Sequence, residues 1–94
     1  MATCKIGEFA ISKAGHDKDE IYVINNIDGE YVYLVDGKNK TIEKPKKKKL
    51  KHLQPVNFID SELLNKMNSD VPLRNEDIKR ALKCYKARKV EKDD

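Results

Sequence analysis

The residues with the strongest chemical character in this chain are six lysines in the segment EKPKKKKLKHLQ, residues 43–54. They fall within the nine positions from Lys44 to His52, and no acid interrupts them. Ammonium groups at this density attract polyanions, because each phosphate contact releases a condensed counterion. Pro45 stiffens the start of the segment, and apolar residues flank both ends. The pattern favours nucleic-acid contact, with a solvated linker or a nuclear localisation signal as the alternatives.

Catalytic chemistry has little support in the sequence. His16 and His52 have no evident nucleophile and orienting acid beside them. Ser12 lies close to His16, but two neighbouring loop positions are weak grounds for a nucleophile–base pair. No glycine-rich phosphate loop is present. We therefore expect a protein that is not an enzyme.

Metal and cofactor sites are also not expected. Cys4 and Cys84 lie near opposite ends and form no cluster with histidine, so we expect two reduced thiols and no zinc site. Asp17, Asp19 and Glu20 do not have the spacing of a calcium loop, which favours a solvated acidic turn. No apolar stretch reaches the roughly 18 residues of a membrane span, and no secretory signal is visible. A cytoplasmic protein without membrane contact is the expectation.

The charge is unevenly distributed along the chain. The formal net charge is +4. Residues 1–43 hold five lysines against eight acids, and residues 53–94 hold nine lysines and arginines against eight acids. The six lysines of residues 44–52 therefore make the whole chain basic. A local basic patch of this kind indicates an anionic partner.

Turn chemistry divides the first half of the chain into short segments with strand character. Residues 7–12 alternate in polarity, residues 21–24 and 31–35 are rich in β-branched and aromatic types, and residues 38–43 and 50–53 are the next two candidates. Asp-Gly pairs at 28–29 and 36–37 are hairpin signals. Four or five such strands are too few for a two-layer sandwich, but they can curl into a small barrel. Residues 1–55 thus predict an SH3-like barrel of about five strands.

The second half, residues 56–94, changes to helical periodicity. Residues 60–67 predict a helix with Asp60 or Ser61 as N-cap, and residues 75–89 predict a second helix with Asn75 as N-cap. One apolar face of the second helix consists of Ile78, Ala81, Leu82 and Tyr85. The predicted fold is therefore mostly β, followed by a C-terminal extension of one or two helices.

Two further sets of side chains extend the nucleic-acid hypothesis. Lys79, Lys83 and Lys86 share a stripe of the second predicted helix, as a second basic surface or as ordinary solubilising residues. Tyrosines would stack on bases if they lay outside the barrel; the candidates are Tyr22, Tyr31 and Tyr33. Strand periodicity places Tyr31 and Tyr33 on one face and Val32 and Leu34 on the other, without deciding which face is buried.

Two segments resemble a known family. Residues 7–24, GEFAISKAGHDKDEIYVI, resemble a KOW motif, a hairpin found in many ribosome- and transcription-associated proteins. Residues 36–54 combine an Asp-Gly-Lys turn, a Lys-Pro-Lys run and Lys-His-Leu. They resemble the KOW barrel of certain archaeal and eukaryotic large-subunit ribosomal proteins, and even more the small bacterial KOW-containing RNA-binding proteins related to them. The resemblance covers about residues 7–54.

The resemblance implies an SH3-like barrel that binds structured RNA without catalysis. The implied contacts lie in the first hairpin loop, in the turn after residue 36 and in the lysine run: Lys13, His16, Lys18, Lys38, Lys40, Lys44, Lys46, Lys47, Lys48, Lys49, Lys51 and His52. The chain departs from the motif at two positions. Asp19 stands where a glycine is usual, and His16 where an arginine is common.

Ribosomal RNA is therefore the expected partner, recognised through phosphates and shape more than through base sequence. Ribosomal proteins are further candidate partners, and we expect the free protein to be a monomer. The alternative hypothesis is a protein-interaction module of the transcription or translation machinery. It would use either the barrel or the amphipathic C-terminal helix.

Overall fold

The computed structural model describes residues 5–16 and 18–92, apart from the side chains of residues 57 and 88–92. Cys4 and Asp17 lie outside the described residues. The regular elements, in chain order, are β1 (Glu8–Ser12), β2 (Ile21–Asp28), β3 (Tyr31–Val35), β4 (Lys46–Lys49), a 3-10 turn (Leu50–His52), β5 (Leu53–Ile59), α1 (Ser61–Met67) and α2 (Asn75–Lys92). The prediction of a mostly β fold followed by C-terminal helices is confirmed.

The five strands form one antiparallel sheet in the order β4-β3-β2-β1-β5. β4 and β5 are thus the two edges, yet only the three residues of the 3-10 turn join them. The edges of a flat five-stranded sheet would lie roughly 19 Å apart, whereas a turn of this length advances only about 6 Å. The sheet must therefore curl, and the Leu50 amide, which donates to the Glu30 carbonyl at 2.8 Å, holds the turn beside β3.

The curled sheet is barrel-like but not closed, because no ladder joins β4 to β5 within the described chain. Its inner face encloses one apolar cluster: Ala10, Tyr22, Ile24, Val32, Leu34 and Leu53. The buried positions Val32 and Leu34 settle the ambiguity in β3, since Tyr31 and Tyr33 must then lie on the outer face. Tyr22 belongs to the inner cluster, so the hypothesis that it stacks on bases is wrong.

The helices cover part of the outer face and create a second apolar cluster. Its buried members are Phe9, Val23, Val35, Leu63, Ile78, Ala81 and Leu82. Phe9, Phe58 and Tyr85 meet there, with ring centroids 5.0–5.3 Å apart. β1 is consequently buried on both sides, which explains why its burial does not follow the predicted alternation. The predicted boundary between residues 55 and 56 lies inside β5, and the helices share their core with the sheet.

The segment between β3 and β4 differs from the sequence prediction. Residues 38–43 form a loop, because the Asp36 carboxylate accepts backbone hydrogen bonds from Lys38, Asn39 and Lys40 at 2.8–2.9 Å and curls the chain. The fourth strand begins only after Pro45, and its four residues are all lysines. A proline just before an edge strand costs no ladder hydrogen bond, so Pro45 precedes the strand instead of preventing it.

The sequence predicted Asn75 as the N-cap of α2, but in the structure Asn75 is the first residue of the helix. Its side-chain oxygen accepts from the Ile42 amide at 2.8 Å, and its side-chain nitrogen donates to Glu43 at 2.9 Å. The start of α2 is instead stabilised by Asp77, whose carboxylate accepts from the Arg74 amide at 3.0 Å. Asn75 therefore fixes the loop that leads into β4. The predicted N-cap of α1 is confirmed, since the Asp60 side chain accepts from the Leu63 amide.

Neither α1 nor α2, as far as the chain is described, has the length and apolar character needed to cross a membrane.

Candidate nucleic-acid interface

The lysine strand, β4, presents its four ammonium groups to two opposite sides of the sheet. Its register places Lys46 opposite Leu34, Lys47 opposite Tyr33, Lys48 opposite Val32 and Lys49 opposite Tyr31. Directly opposed residues of an antiparallel pair project to the same side. Lys46 and Lys48 therefore lie on the side of the inner cluster, while Lys47 and Lys49 lie on the outer face beside the two tyrosines.

The inner lysines are partly engaged by the protein itself. Lys46 and Lys48 are both half-buried, and the Lys48 ammonium donates to the Ala14 carbonyl at 2.7 Å. An aliphatic stem that lies along the rim of an apolar cluster with its charge at the surface is an ordinary arrangement for lysine. This contact also joins β4 to the loop between β1 and β2. The first-loop and lysine-run candidates are therefore neighbours in the fold.

The outer lysines share their surface with aromatic rings. The Lys47 ammonium lies 4.5 Å from the centroid of the Tyr31 ring, within cation–π distance. Tyr31 and Tyr33 are half-buried, and neither belongs to an apolar core cluster. A sheet surface that alternates ammonium groups and aromatic rings offers both phosphate and base-stacking contacts.

This surface is the part of the outer face that the helices leave open. Val35 and Val23 lie beneath the helices. Tyr33, two residues before Val35 in β3, lies outside the cluster that the helices cover. We call the uncovered part the open face; it consists of Asn26, Asp28, Tyr31, Tyr33, Lys47 and Lys49, from three adjacent strands. It contains a depression of about 430 Å³ lined by Asn25, Asn26, Ile27, Asp28, Tyr33 and Pro45. No motif in the sequence marks these asparagines, and a register shift between Ile24 and Asn26 places a bulge at Asn25 in β2.

The first-loop candidates surround Ala14. Lys13, His16 and Lys18 are all exposed, and the Lys13 backbone amide donates to the His52 carbonyl at 2.9 Å. The loop therefore lies against the 3-10 turn, which also carries the exposed Lys51. Lys44, also exposed, precedes β4 in the loop that Asn75 holds. These positions form a cationic rim next to the lysine strand.

Asp19 adopts φ +73°, a left-handed conformation that glycine accepts without strain and aspartate more readily than most other residues. Asp19 thus adopts the backbone conformation that a glycine would adopt at this position. The loop is closed by hydrogen bonds between residues 12 and 19–20, at 2.8–2.9 Å. Replacement of the usual glycine changes the charge at this position while the turn is retained.

Lys38 belongs to a different surface. It lines a smaller depression of about 230 Å³ together with the three lysines of the α2 stripe; the full lining is Glu20, Ile21, Asp36, Lys38, Lys79, Leu82, Lys83 and Lys86. Two acids, Glu20 and Asp36, lie among these four ammonium groups. Lys40 is half-buried in the turn made by Asp36. The structure therefore does not bring all predicted contact residues together.

Acids also shape the electrostatics around the lysine strand. A side-chain hydrogen bond from Asn75 holds the pKa of the Glu43 carboxyl below its usual value. Glu43 thus remains a carboxylate at the entrance to the loop before the lysine run. The hydrogen bond from the Asn75 side chain orients the Glu43 carboxylate toward α2.

The side chains considered for metal binding or catalysis lie in different environments. Within the described part of the chain, no three His, Cys, Asp or Glu side chains are grouped closely enough to hold a metal ion. Ser12 is buried and its hydroxyl donates to the Ala14 carbonyl at 3.2 Å, whereas His16 is exposed. Cys84 is an exposed free thiol.

No protein-family model matches this chain, and comparison with curated proteins finds no match.

Proposed function

We propose that this protein is a non-catalytic RNA-binding protein associated with the ribosome. Its lysine strand contacts the phosphates of structured, ribosomal RNA, and the cationic rim extends the contact. A cytoplasmic location follows from the proposal. The resemblance of residues 7–54 to KOW proteins also supports this assignment, and part of it lies in the same lysine run.

The observation that carries the proposal is the composition of the open face. Lys47 and Lys49 project from the sheet on the same side as Tyr31 and Tyr33, in the part of the outer face that the helices leave uncovered. The strand fixes the spacing of the Cα atoms from which the two side chains project, since residues two apart on a strand are separated by roughly 6.6–6.8 Å. That spacing is close to the distance between successive phosphates of an extended nucleic-acid strand. A solvated linker would hold no such array.

Charge replacement on the open face tests the proposal. We expect Lys47→Gln with Lys49→Gln to weaken binding of a ribosomal RNA fragment by roughly tenfold or more, because two phosphate contacts are lost. A matched control is Lys79→Gln with Lys83→Gln, which removes the same charge from the α2 stripe. Fluorescence anisotropy at constant ionic strength measures both. Equal losses in the two double variants would indicate attraction by net charge alone and contradict the proposed interface.

Salt dependence provides a second measure of the same contacts. About three or four phosphate contacts predict that affinity falls roughly 20–150-fold between about 50 and 200 mM monovalent salt. Affinity for structured RNA that is insensitive to salt would exclude the phosphate mechanism. Co-sedimentation with large ribosomal subunits after a moderate salt wash tests the association with the ribosome separately.

The alternative of a protein-interaction module loses one of its two surfaces. The apolar face of α2 was the predicted contact, but Ile78, Ala81 and Leu82 are buried against the sheet. The barrel surface remains as the other candidate. The test uses a variant whose open face is neutral. If this variant still recovers a protein partner after nuclease treatment, the result favours this alternative.

A further inference from the structure

We infer that the depression beside Tyr33 receives one unpaired base of the bound RNA, and that guanine fits it best. The inference rests on the proposed RNA binding and adds to it a single-stranded nucleotide and a base preference. Shape recognition of a duplex would need neither.

Tyr33 supplies the stacking platform. It lies on the open face between Asn26 of β2 and Lys47 of β4, its two directly opposed neighbours. Pro45 forms another part of the lining of the depression. A base that lies in the depression therefore contacts the Tyr33 ring, and the phosphates next to it lie near the lysines of β4. Aromatic side chains of this kind accept unpaired bases, which can be splayed out of a loop, bulge or strand end.

The polar groups of the depression distinguish a base from a phosphate. Asp28 lines the depression with an exposed carboxylate, which repels phosphate and accepts hydrogen bonds from ring and amino N–H groups. Lys47 and Lys49 lie on the neighbouring strand, so the phosphate-binding and base-binding parts are adjacent but separate. The negative group thus belongs to the depression and the positive groups to β4, so the base and its phosphates bind to different parts of the open face.

The hydrogen-bonding pattern favours guanine. The Asn26 side-chain oxygen already accepts from the Ile27 amide at 2.8 Å, which leaves its NH₂ group as a donor. Guanine alone among the four bases presents two adjacent donors, N1–H and the N2 amino group, with an acceptor, O6, beside them. A carboxylate pairs with the two donors and an amide NH₂ with the acceptor. The bulge at Asn25 turns a second amide toward the same depression.

Short RNA oligonucleotides test the inference. The probes are single-stranded octamers of uridine that carry one central guanosine or adenosine, and a hairpin stem of equal charge without unpaired purines. We expect the wild-type protein to bind the guanosine octamer roughly tenfold more tightly than the adenosine octamer, and the stem most weakly. Tyr33→Leu should weaken binding of the guanosine octamer roughly 5–100-fold, whereas Tyr33→Phe retains the ring and should stay within about twofold.

Asp28→Asn isolates the base preference, since Asp28 is exposed and removal of its charge should not weaken phosphate contact. We expect this variant to lose the guanosine-over-adenosine preference while it binds polyuridine at least as well as wild type. Equal binding of both octamers, or full affinity in Tyr33→Leu, overturns the inference. If Lys47→Gln with Lys49→Gln still weakens RNA binding in that case, the proposed function stands alone. If no probe and no ribosomal RNA fragment binds wild type, both fail.

Discussion

At Gly37 the loop before the lysine strand lies directly against the first turn of α2. Its φ of +78° is a left-handed value, and a methyl group at this position would lie 3.0 Å from the Lys79 backbone nitrogen and closer still to the Asn75 carbonyl oxygen. Backbone atoms of a helix cannot move aside as a flexible side chain can. The loop therefore needs glycine here for two reasons, conformation and space.

Alanine at Gly37 and at Gly29 separates these two reasons. Gly29 also has a positive φ, +61°, but nothing lies within 4 Å of an added methyl group. We expect Gly29→Ala to cost about 1 kcal/mol from backbone strain alone, and Gly37→Ala to cost about 2–4 kcal/mol because steric overlap is added. Urea unfolding measures both. Equal costs would mean that the loop and α2 separate freely.

At the scale of elements, the strands β1, β2 and β3 and both helices could be predicted, because alternation, Asp-Gly turns and helical periodicity are local signals. β4 could not, since four consecutive lysines have low strand propensity and no apolar partner pattern. The loop that leads into it is hydrogen-bonded to Asn75, which is distant in the sequence. The division of its lysines between two faces follows from register, which no local pattern of identical residues reveals.

The lysine strand also has a structural role that does not depend on RNA. β4 is an edge strand of the sheet, and lysine side chains are a common protection of such strands against edge-to-edge association. This role accounts for charge on β4, but not for the tyrosines beside Lys47 and Lys49 on the open face. It also predicts no salt-dependent affinity for RNA, so the two roles are separable by measurement.

Asn75 connects the helices to the lysine strand, and its removal tests this coupling. We expect Asn75→Ala to cost about 1–2 kcal/mol, since the half-buried Ile42 amide loses its acceptor. Hydrogen exchange at the Ile42 amide should accelerate by more than the loss of global stability explains. Asn39→Ala, an exposed change in the same loop, is the control and should leave the exchange rate unchanged. Unaltered exchange in Asn75→Ala would show that the loop is held by other contacts.

At the scale of the whole molecule, the sheet has two faces with two cores, and the helices complete only one of them. Ile78 is fully buried between α2 and the sheet. We expect Ile78→Ala to destabilise the protein by about 2–5 kcal/mol. The urea unfolding transitions of α2 and of the inner cluster should coincide. The amide signals of Leu82 and Val32 report on the two transitions. Loss of the helix signal well before that of Val32 would instead support a barrel that folds independently over residues 1–55.

The contact between the helices makes the stability of the molecule depend on pH. The Asp77 carboxylate accepts a hydrogen bond from the Lys66 ammonium on α1 and another from the Arg74 amide. The Lys66 hydrogen bond lowers the pKa of Asp77 most, and the Arg74 amide and the nearby positive charges lower it further against the opposing effect of burial. An aspartate whose pKa is lower in the folded state stabilises the fold above its unfolded pKa of about 3.9.

This stabilisation is lost as pH falls through the lower, folded pKa, because the proton then binds both states. Asp77→Asn should therefore be less stable than wild type by about 1–2 kcal/mol near neutral pH, and the difference should shrink steadily below about pH 5. Lys66→Gln should also weaken the pH dependence of the free energy of unfolding, because it removes the main cause of the lowered pKa of Asp77. Urea titrations at several pH values measure all three proteins. A difference between wild type and Asp77→Asn that stays constant down to about pH 2 would show that the carboxylate's charge contributes nothing to the contact between α1 and α2.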